Sequence, residues 1–321
     1  MHKLTAGLVA LATALGLAAA AGAGDGGAWS WAFPGPAGKP SPPKPPNARV
    51  RLAGSRLSFT RAQLGDLYHA VDWRPDSHPP APLIVRQGHA PAAMACGYCH
   101  LPAGEGRPEN AALAGLPAAY IEQQLADIRT GARQEANPAF KPAQLMTAVA
   151  RAASPAEAKA AAAYFAGLRF TSRVKVVEAA MIPAVADDGY VWRRLPGPGR
   201  VPLGQRIIEG PSDFERFELR DARTDYFAYV PPGAIARGSA LASSGGQGRT
   251  QVCSGCHGEH LKGALGPPLA GRSPSYIVRQ LYAFQTGARH GAGGAAMTTV
   301  AAKLTPAEMI DLAAYAAALR P

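Results

Sequence analysis

Two five-residue stretches constrain this chain more tightly than anything else in it: Cys96-Gly97-Tyr98-Cys99-His100 and Cys253-Ser254-Gly255-Cys256-His257. Two thiols three residues apart, with a histidine directly after the second, put sulfur, sulfur and imidazole on one face of a single helical turn. From there the thiols can add to the two vinyl groups of a haem while the imidazole reaches the iron, and this spacing is the sequence mark of that attachment. The two copies use all four cysteines of the chain, so none is left for a disulfide. A single Cys-x-x-Cys also reads as a zinc half-site or a redox dithiol. Two copies, each with its histidine and each heading a similar segment, disfavour that reading. Two covalently bound haem c groups are therefore expected, held by Cys96, Cys99, Cys253 and Cys256, with His100 and His257 as iron ligands.

The segments that follow the two motifs repeat each other. Leu113-Ala114-Gly115, Tyr120-Ile121, Gln124-Leu125 and Thr130-Gly131-Ala132-Arg133 match Leu269-Ala270-Gly271, Tyr276-Ile277, Gln280-Leu281 and Thr286-Gly287-Ala288-Arg289 at a constant separation. Apolar residues recur every three to four positions in both, at Ile121, Leu125, Ile128 and at Ile277, Leu281, Phe284, which predicts an amphipathic helix in each. Gly131 and Gly287 are placed to close those helices. Further on, Met146-Thr147-Ala148-Val149-Ala150 matches Met297-Thr298-Thr299-Val300-Ala301. Each is followed by a helix start, Ser154-Pro155-Ala156-Glu157 and Thr305-Pro306-Ala307-Glu308, in which the hydroxyl caps, proline takes the first turn and Glu reaches back.

Two haem segments in 321 residues suggest two small domains plus connections. Residues 1–23 read as a secretory signal peptide, with Lys3 before an apolar Leu/Ala/Gly run and small residues at its end; the run is short for a spanning helix. Export fits the chemistry, because thioether attachment of haem in bacteria takes place outside the cytoplasmic membrane, and the periplasm is the expected location. Residues 24–49 form a Pro-rich tether, expected to be extended, with Trp29 and Trp31 either docking or incidental. The first domain is expected over 50–170, its N-terminal part wrapping the body and shielding the haem edge. In that part His69, His78 and His89, with Asp72 and Asp76, lack metal-ligand spacing. Residues 171–235 fit neither repeat; Val174-Lys175-Val176-Val177, Tyr190-Val191-Trp192 and Tyr226–Val230 read as short strands in a packed connector. The second domain is expected over 236–321. The formal net charge of +11 admits an acidic protein partner or a membrane surface, whereas nothing resembles a nucleic-acid-binding basic helix or sheet.

An iron held by imidazole needs a sixth ligand unless the site is open and reactive. Met146 and Met297 stand at matched positions, and a thioether opposite imidazole raises the reduction potential. Packing in the core is the alternative for both. Met94 lies too close to Cys96 to reach the opposite face, Met309 sits inside the last helix, and His290 is a competitor in the second copy only.

On these motifs, both segments resemble class I c-type cytochromes, and the tandem resembles the bacterial two-domain dihaem cytochromes c, over roughly residues 85–170 and 236–321. The resemblance implies an all-α fold of two cytochrome c domains with an irregular, short-strand insert between them. It implies a distal methionine before each last helix. It further implies that a proline carbonyl after the attachment motif holds the proximal imidazole. Pro267 fits that last role, while the first copy has Ala111 at the aligned place.

The function expected is single-electron transfer without a catalytic group, between a dehydrogenase or quinol-oxidising complex as donor and an oxidase or reductase as acceptor, with docking to a membrane complex a further option. The alternatives are a dihaem oxidoreductase of the peroxidase or sulfur-compound type with one open haem, and the cytochrome subunit of a dehydrogenase complex.

Overall fold

The computed structural model describes residues 29–35 and 44–321. The expected signal peptide and the prolines between 36 and 43 lie outside the described residues.

The first domain begins with a short antiparallel ribbon of β1 (Arg49–Arg51) and β2 (Ser58–Thr60), followed by the brief helices α1 (Arg61–Gly65) and α2 (Leu83–Arg86). Its helical body comprises α3 (Cys96–His100), α4 (Ala118–Thr130), α5 (Lys141–Ala152) and α6 (Pro155–Ala166). The apolar stripe of α4 turns Ile121 into a core shared with Val85, Leu116, Ala162 and Phe165. Burial of each large side chain there contributes roughly 1.5–3 kcal/mol. Gly131, at φ 86°, caps α4 in the left-handed region, where a side chain would be strained. Ser154 Oγ accepts from Glu157 N at 3.2 Å while Glu157 Oε2 accepts from Ser154 N at 2.7 Å, a reciprocal cap that starts α6.

The connector is a β-module. Its strands are β3 (Val174–Glu178), β4 (Met181–Pro183), β5 (Val185–Asp188), β6 (Val191–Arg194), β7 (Arg200–Pro202), β8 (Ile208–Pro211) and, after helix α7 (Phe214–Glu218), β9 (Tyr226–Val230). Aromatic β9 lies between β3, to which it is parallel, and β8, to which it is antiparallel. Ile182, Leu203, Ile208 and Phe227 bury themselves as its core. All-α describes the two repeated bodies, while the connector, expected to be irregular with short strands, is an ordered set of paired strands. Helices build the two repeated bodies, but the β-branched and aromatic runs of the connector are too short for helices and each finds a pairing strand.

The second domain repeats the first with α8 (Ala234–Gly248), α9 (Ser254–His257), α10 (Pro274–Gln285), α11 (Ala295–Ala301) and α12 (Pro306–Ala318). Thr305 and Glu308 form the same reciprocal cap for α12, and Gly287 takes φ 74° just past α10. Buried Glu209, from β8, accepts from Ser273 Oγ at 2.7 Å and Ser275 N at 3.0 Å. The connector thus sets a carboxyl group against the N-terminus of α10, where orphan N–H groups converge.

Part of the expected tether is not extended. Residues 29–35 dock on the second domain, with the Trp29 ring stacked on Tyr282 at 4.8 Å and Ala32 only 1% exposed. Ala32 O accepts from Arg279 Nη1 at 3.1 Å, and Trp31 O from Trp192 Nε1 at 3.1 Å. Two tryptophans hold enough apolar surface to offset the entropy of ordering a short segment.

A pseudo-symmetric clasp joins the domains. Arg133 and Arg289 face each other across an antiparallel bridge, with Gln134 N donating to Ala288 O and His290 N to Ala132 O, both at 2.8 Å. Arg133 donates to Gln124 Oε1, Tyr276 Oη and Gln280 Oε1 at 2.8, 2.6 and 3.0 Å. Arg289 mirrors it with Gln280 Oε1, Tyr120 Oη and Gln124 Oε1 at 3.1, 3.0 and 2.7 Å. Burial first, and the facing Arg133 second, pull the pKa of Arg289 down. Two further guanidinium groups cross from the second domain to backbone carbonyls of the first: Arg272 reaches Ala112 and Ala114, and Arg279 reaches Pro108.

Candidate haem sites

Each attachment motif is one helical turn with its histidine at the end. In α3, His100 is buried and its Nδ1 lies 2.8 Å from Ala111 O. At the end of α9, His257 is buried and its Nδ1 lies 2.8 Å from Pro267 O. A carbonyl only accepts, so Nδ1 carries the proton in both rings. Nε2 is left as the lone-pair nitrogen, on the far side of the ring from the carbonyl and free to serve as a ligand. The chain returns to make these contacts through Gly106 N to His100 O at 3.0 Å and Gly263 N to His257 O at 2.7 Å. A carbonyl at this place needs no particular side chain, so alanine in one copy does what proline does in the other. Burial lowers the pKa of both imidazoles, and the carbonyl hydrogen bonds oppose it. The neutral, metal-binding form is favoured at both.

The cysteines share those turns. Burial pushes the Cys96 thiol up to about 12, and burial also raises Cys99 and Cys253. Cys96 packs against the core of the first domain, and Cys253 against that of the second. Met297 packs on the same second-domain core as Cys253. Met146 lies half-buried on α5, the helix before the capped α6, as Met297 lies on α11 before α12. The donor set therefore fits a thioether-bound haem in each domain: paired thiols, a tautomer-locked imidazole and a matched thioether on the helix that precedes the last. Of the scattered histidines, His69 pairs with Asp66 at 2.8 Å, and His78 with Asp72 at 3.0 Å. They belong to separate contacts.

Glu105, in the loop between His100 and Ala111, is one group that motif reading passed over. Burial pushes its pKa up to about 7 from an ordinary 4.5. The folded state then holds this proton more tightly than the unfolded chain. Its contribution is fully present below pH 4.5 and is lost as pH rises through 7. Denaturant unfolding at pH 5 and pH 8 is expected to show the difference. Glu105→Gln should flatten the decline and recover on the order of 3 kcal/mol at pH 8.

A family model described as cytochrome c matches residues 85–169, and one described as cytochrome c oxidase, cbb3-type, subunit III, matches residues 240–315. A thiosulfate dehydrogenase electron acceptor of Stutzerimonas stutzeri is 30% identical over 241 residues, covering 72% of this chain and 82% of that protein. This chain belongs to the tandem class I c-type cytochromes. A second protein of the same description, from Thiomonas intermedia, is 28% identical over 235 residues, covering 71% of this cytochrome and 80% of the relative. The solved thiosulfate dehydrogenase (TsdBA) of Marichromatium purpuratum is 28% identical with a TM-score of 0.49, covering 74% of this chain and 39% of that one. As a dihaem member of its family, this cytochrome carries two covalently bound haem c groups and is an electron-transfer protein. No helix among the described residues is long and apolar enough to cross a membrane.

Proposed function

We propose that this cytochrome is a periplasmic electron carrier that accepts single electrons from a dehydrogenase acting on an inorganic sulfur compound of the thiosulfate class, and passes them to a terminal oxidase or reductase. The observation that carries this reading is the likeness, over 72% of this chain and 82% of the relative, to a protein described as a thiosulfate dehydrogenase electron acceptor. The paired sites support it. Both histidines are locked in the same tautomer by the same kind of carbonyl contact, as suits two like carrier centres.

In this reading Cys96 with Cys99, and Cys253 with Cys256, would hold the two haems. His100 and His257 would bind iron through Nε2, and Met146 and Met297 would supply thioether ligands. Each bound haem supplies a centre that takes up and releases one electron. The chain does the rest by fixing ring orientation through Ala111 and Pro267, and by burying the imidazoles away from water. No acid, base or nucleophile is needed.

The direct test mixes the oxidised protein with a purified thiosulfate dehydrogenase and thiosulfate and follows both haems by stopped-flow absorbance. Reduction of two haems per chain within the turnover time of the enzyme supports the reading. Failure of reduction, with thiosulfate consumed only when another acceptor is added, would refute it.

Ligation has its own test. Met297→Leu is expected to abolish the methionine-to-iron charge-transfer band of one haem and to lower its potential by on the order of 0.1 V, within the ~0.8 V that axial ligands span. An unchanged band would return Met297 to a packing role.

A further inference from the structure

The two attachment turns are equivalent in sequence but not in exposure. In the first domain the residue before Cys96, Ala95, is 1% exposed; its counterpart before Cys253, Val252, is 39% exposed. Gly97 is buried where Ser254 is exposed, Tyr98 is half-buried where Gly255 is exposed, and Cys99 is half-buried where Cys256 is exposed. Leu265, in the loop between His257 and Pro267, is 91% exposed.

The cause is a cover that only the first domain has. The segment between β2 and α3 lies directly on the attachment turn. A Cβ on Gly97 would stand 2.7 Å from Val85 O and 3.1 Å from Ala70 Cβ, which is why this position takes no side chain. From the connector, Arg220 lays its guanidinium 3.5 Å from the Tyr98 ring centroid and donates to Tyr98 O at 2.7 Å and to Leu64 O at 2.8 Å. Trp73 Nε1 donates to Leu219 O at 2.6 Å, tying the two covering segments together.

We infer that the face formed by Val252, Ser254, Gly255, Cys256 and Leu265 is the docking surface for an acidic redox protein that delivers electrons to this cytochrome, and that the first haem is loaded through the second. This rests on the carrier reading above. The occupant follows from shape and charge. A bare turn flanked by two exposed aliphatic side chains suits a close, dehydrated contact. Exposed Lys262 lies three residues from Leu265, Lys303 is exposed, and the acid Glu259 has His260 Nε2 at 3.4 Å. Arg249 is engaged by Glu308 and by Lys303 O. The formal net charge of +11 steers a negatively charged partner toward the chain as a whole. In the transfer one electron leaves the reduced centre of the donor protein and converts the second-domain iron from ferric to ferrous, with no bond made or broken and no proton moved.

The test uses the full dihaem protein and a plant-type [2Fe–2S] ferredoxin as an acidic one-electron donor. Hydrogen–deuterium exchange of the mixture at low salt is expected to show protection at residues 251–257 and 262–266 and none at 94–100. Val252→Glu and Leu265→Glu change only exposed positions. Each should slow reduction by reduced ferredoxin by about tenfold or more, with reduction by dithionite and the haem spectra unchanged. Protection on the first domain or the connector, or equal ferredoxin rates in wild type and both variants, overturns the inference. Haem content by pyridine haemochrome and reductive titration is read on the same samples. Fewer than two reducible haems overturns the carrier reading, whereas two reducible haems with no second-domain footprint overturns the docking surface alone.

Discussion

The double substitution Cys253→Ser and Cys256→Ser is expected to leave one covalent haem per chain and to unfold the second domain. The haem that Cys253 and Cys256 would hold would lie against the second domain's own core and would complete it. Cys253 and Met297 sit at the margin of a core that includes Leu281, Leu304 and Met309. Losing a cofactor-sized share of that core removes more than the ~5–15 kcal/mol by which a domain of this size is stable. His257→Ala should act in the same direction, because the imidazole is buried and its carbonyl partner would be left without a donor. The measurement is pyridine haemochrome stoichiometry with intact mass, paired with far-UV circular dichroism. A double variant that keeps two covalent haems would refute the assignment of this motif.

The second large effect is expected at the clasp. Arg133→Ala combined with Arg289→Ala removes every charged donor from Tyr120, Tyr276, Gln124 and Gln280. Hydrogen bonds to charged groups contribute about 1.5–3 kcal/mol each, and orphaned buried acceptors cost a further ~1–3 kcal/mol. Relief of repulsion between the two guanidinium groups offsets part of this, so a net loss of about 3–5 kcal/mol is expected. Calorimetry should split one transition into two as the domains lose their shared interface. Single variants should couple strongly in a double-mutant cycle, since both arginines share Gln124 and Gln280. Arg133→Lys should rescue little, because an ammonium cannot reproduce a fork that reaches three oxygens. A single unshifted transition in the double variant would show that the clasp contributes nothing to cohesion.

The clasp also shows what could and could not be read from the chain. Tyr120, Gln124 and Arg133 recur as Tyr276, Gln280 and Arg289, and periodicity alone accounts only for the apolar residues between them. Polar side chains repeated at helix spacing were the available signal for a contact between the copies. Their exchange across a pseudo-twofold interface appears only when the two domains are set face to face. The capping pairs Ser154 with Glu157 and Thr305 with Glu308 were legible because both partners lie within one turn. The docking of Trp29 and Trp31 was not, since their partners Tyr282 and Trp192 are far along the chain and nothing local distinguishes a docked tryptophan from a loose one. The strands of the connector could be recognised from their aromatic and β-branched runs. Their order, with β9 between β3 and β8, could not, because β9 pairs with residues 52 positions away in β3 and 15 to 21 positions away in β8.

By itself the sequence determined the chemistry: two Cys-x-x-Cys-His motifs for two covalent haems and a repeated helical scaffold, all carried by contacts within a few residues of each motif. Only the tertiary structure decided which of the two equivalent sites faces outward. Exposure depends on what other segments cover a turn. The cover over Cys96–His100 is assembled from Ala70, Val85 and Arg220, residues that no local rule connects.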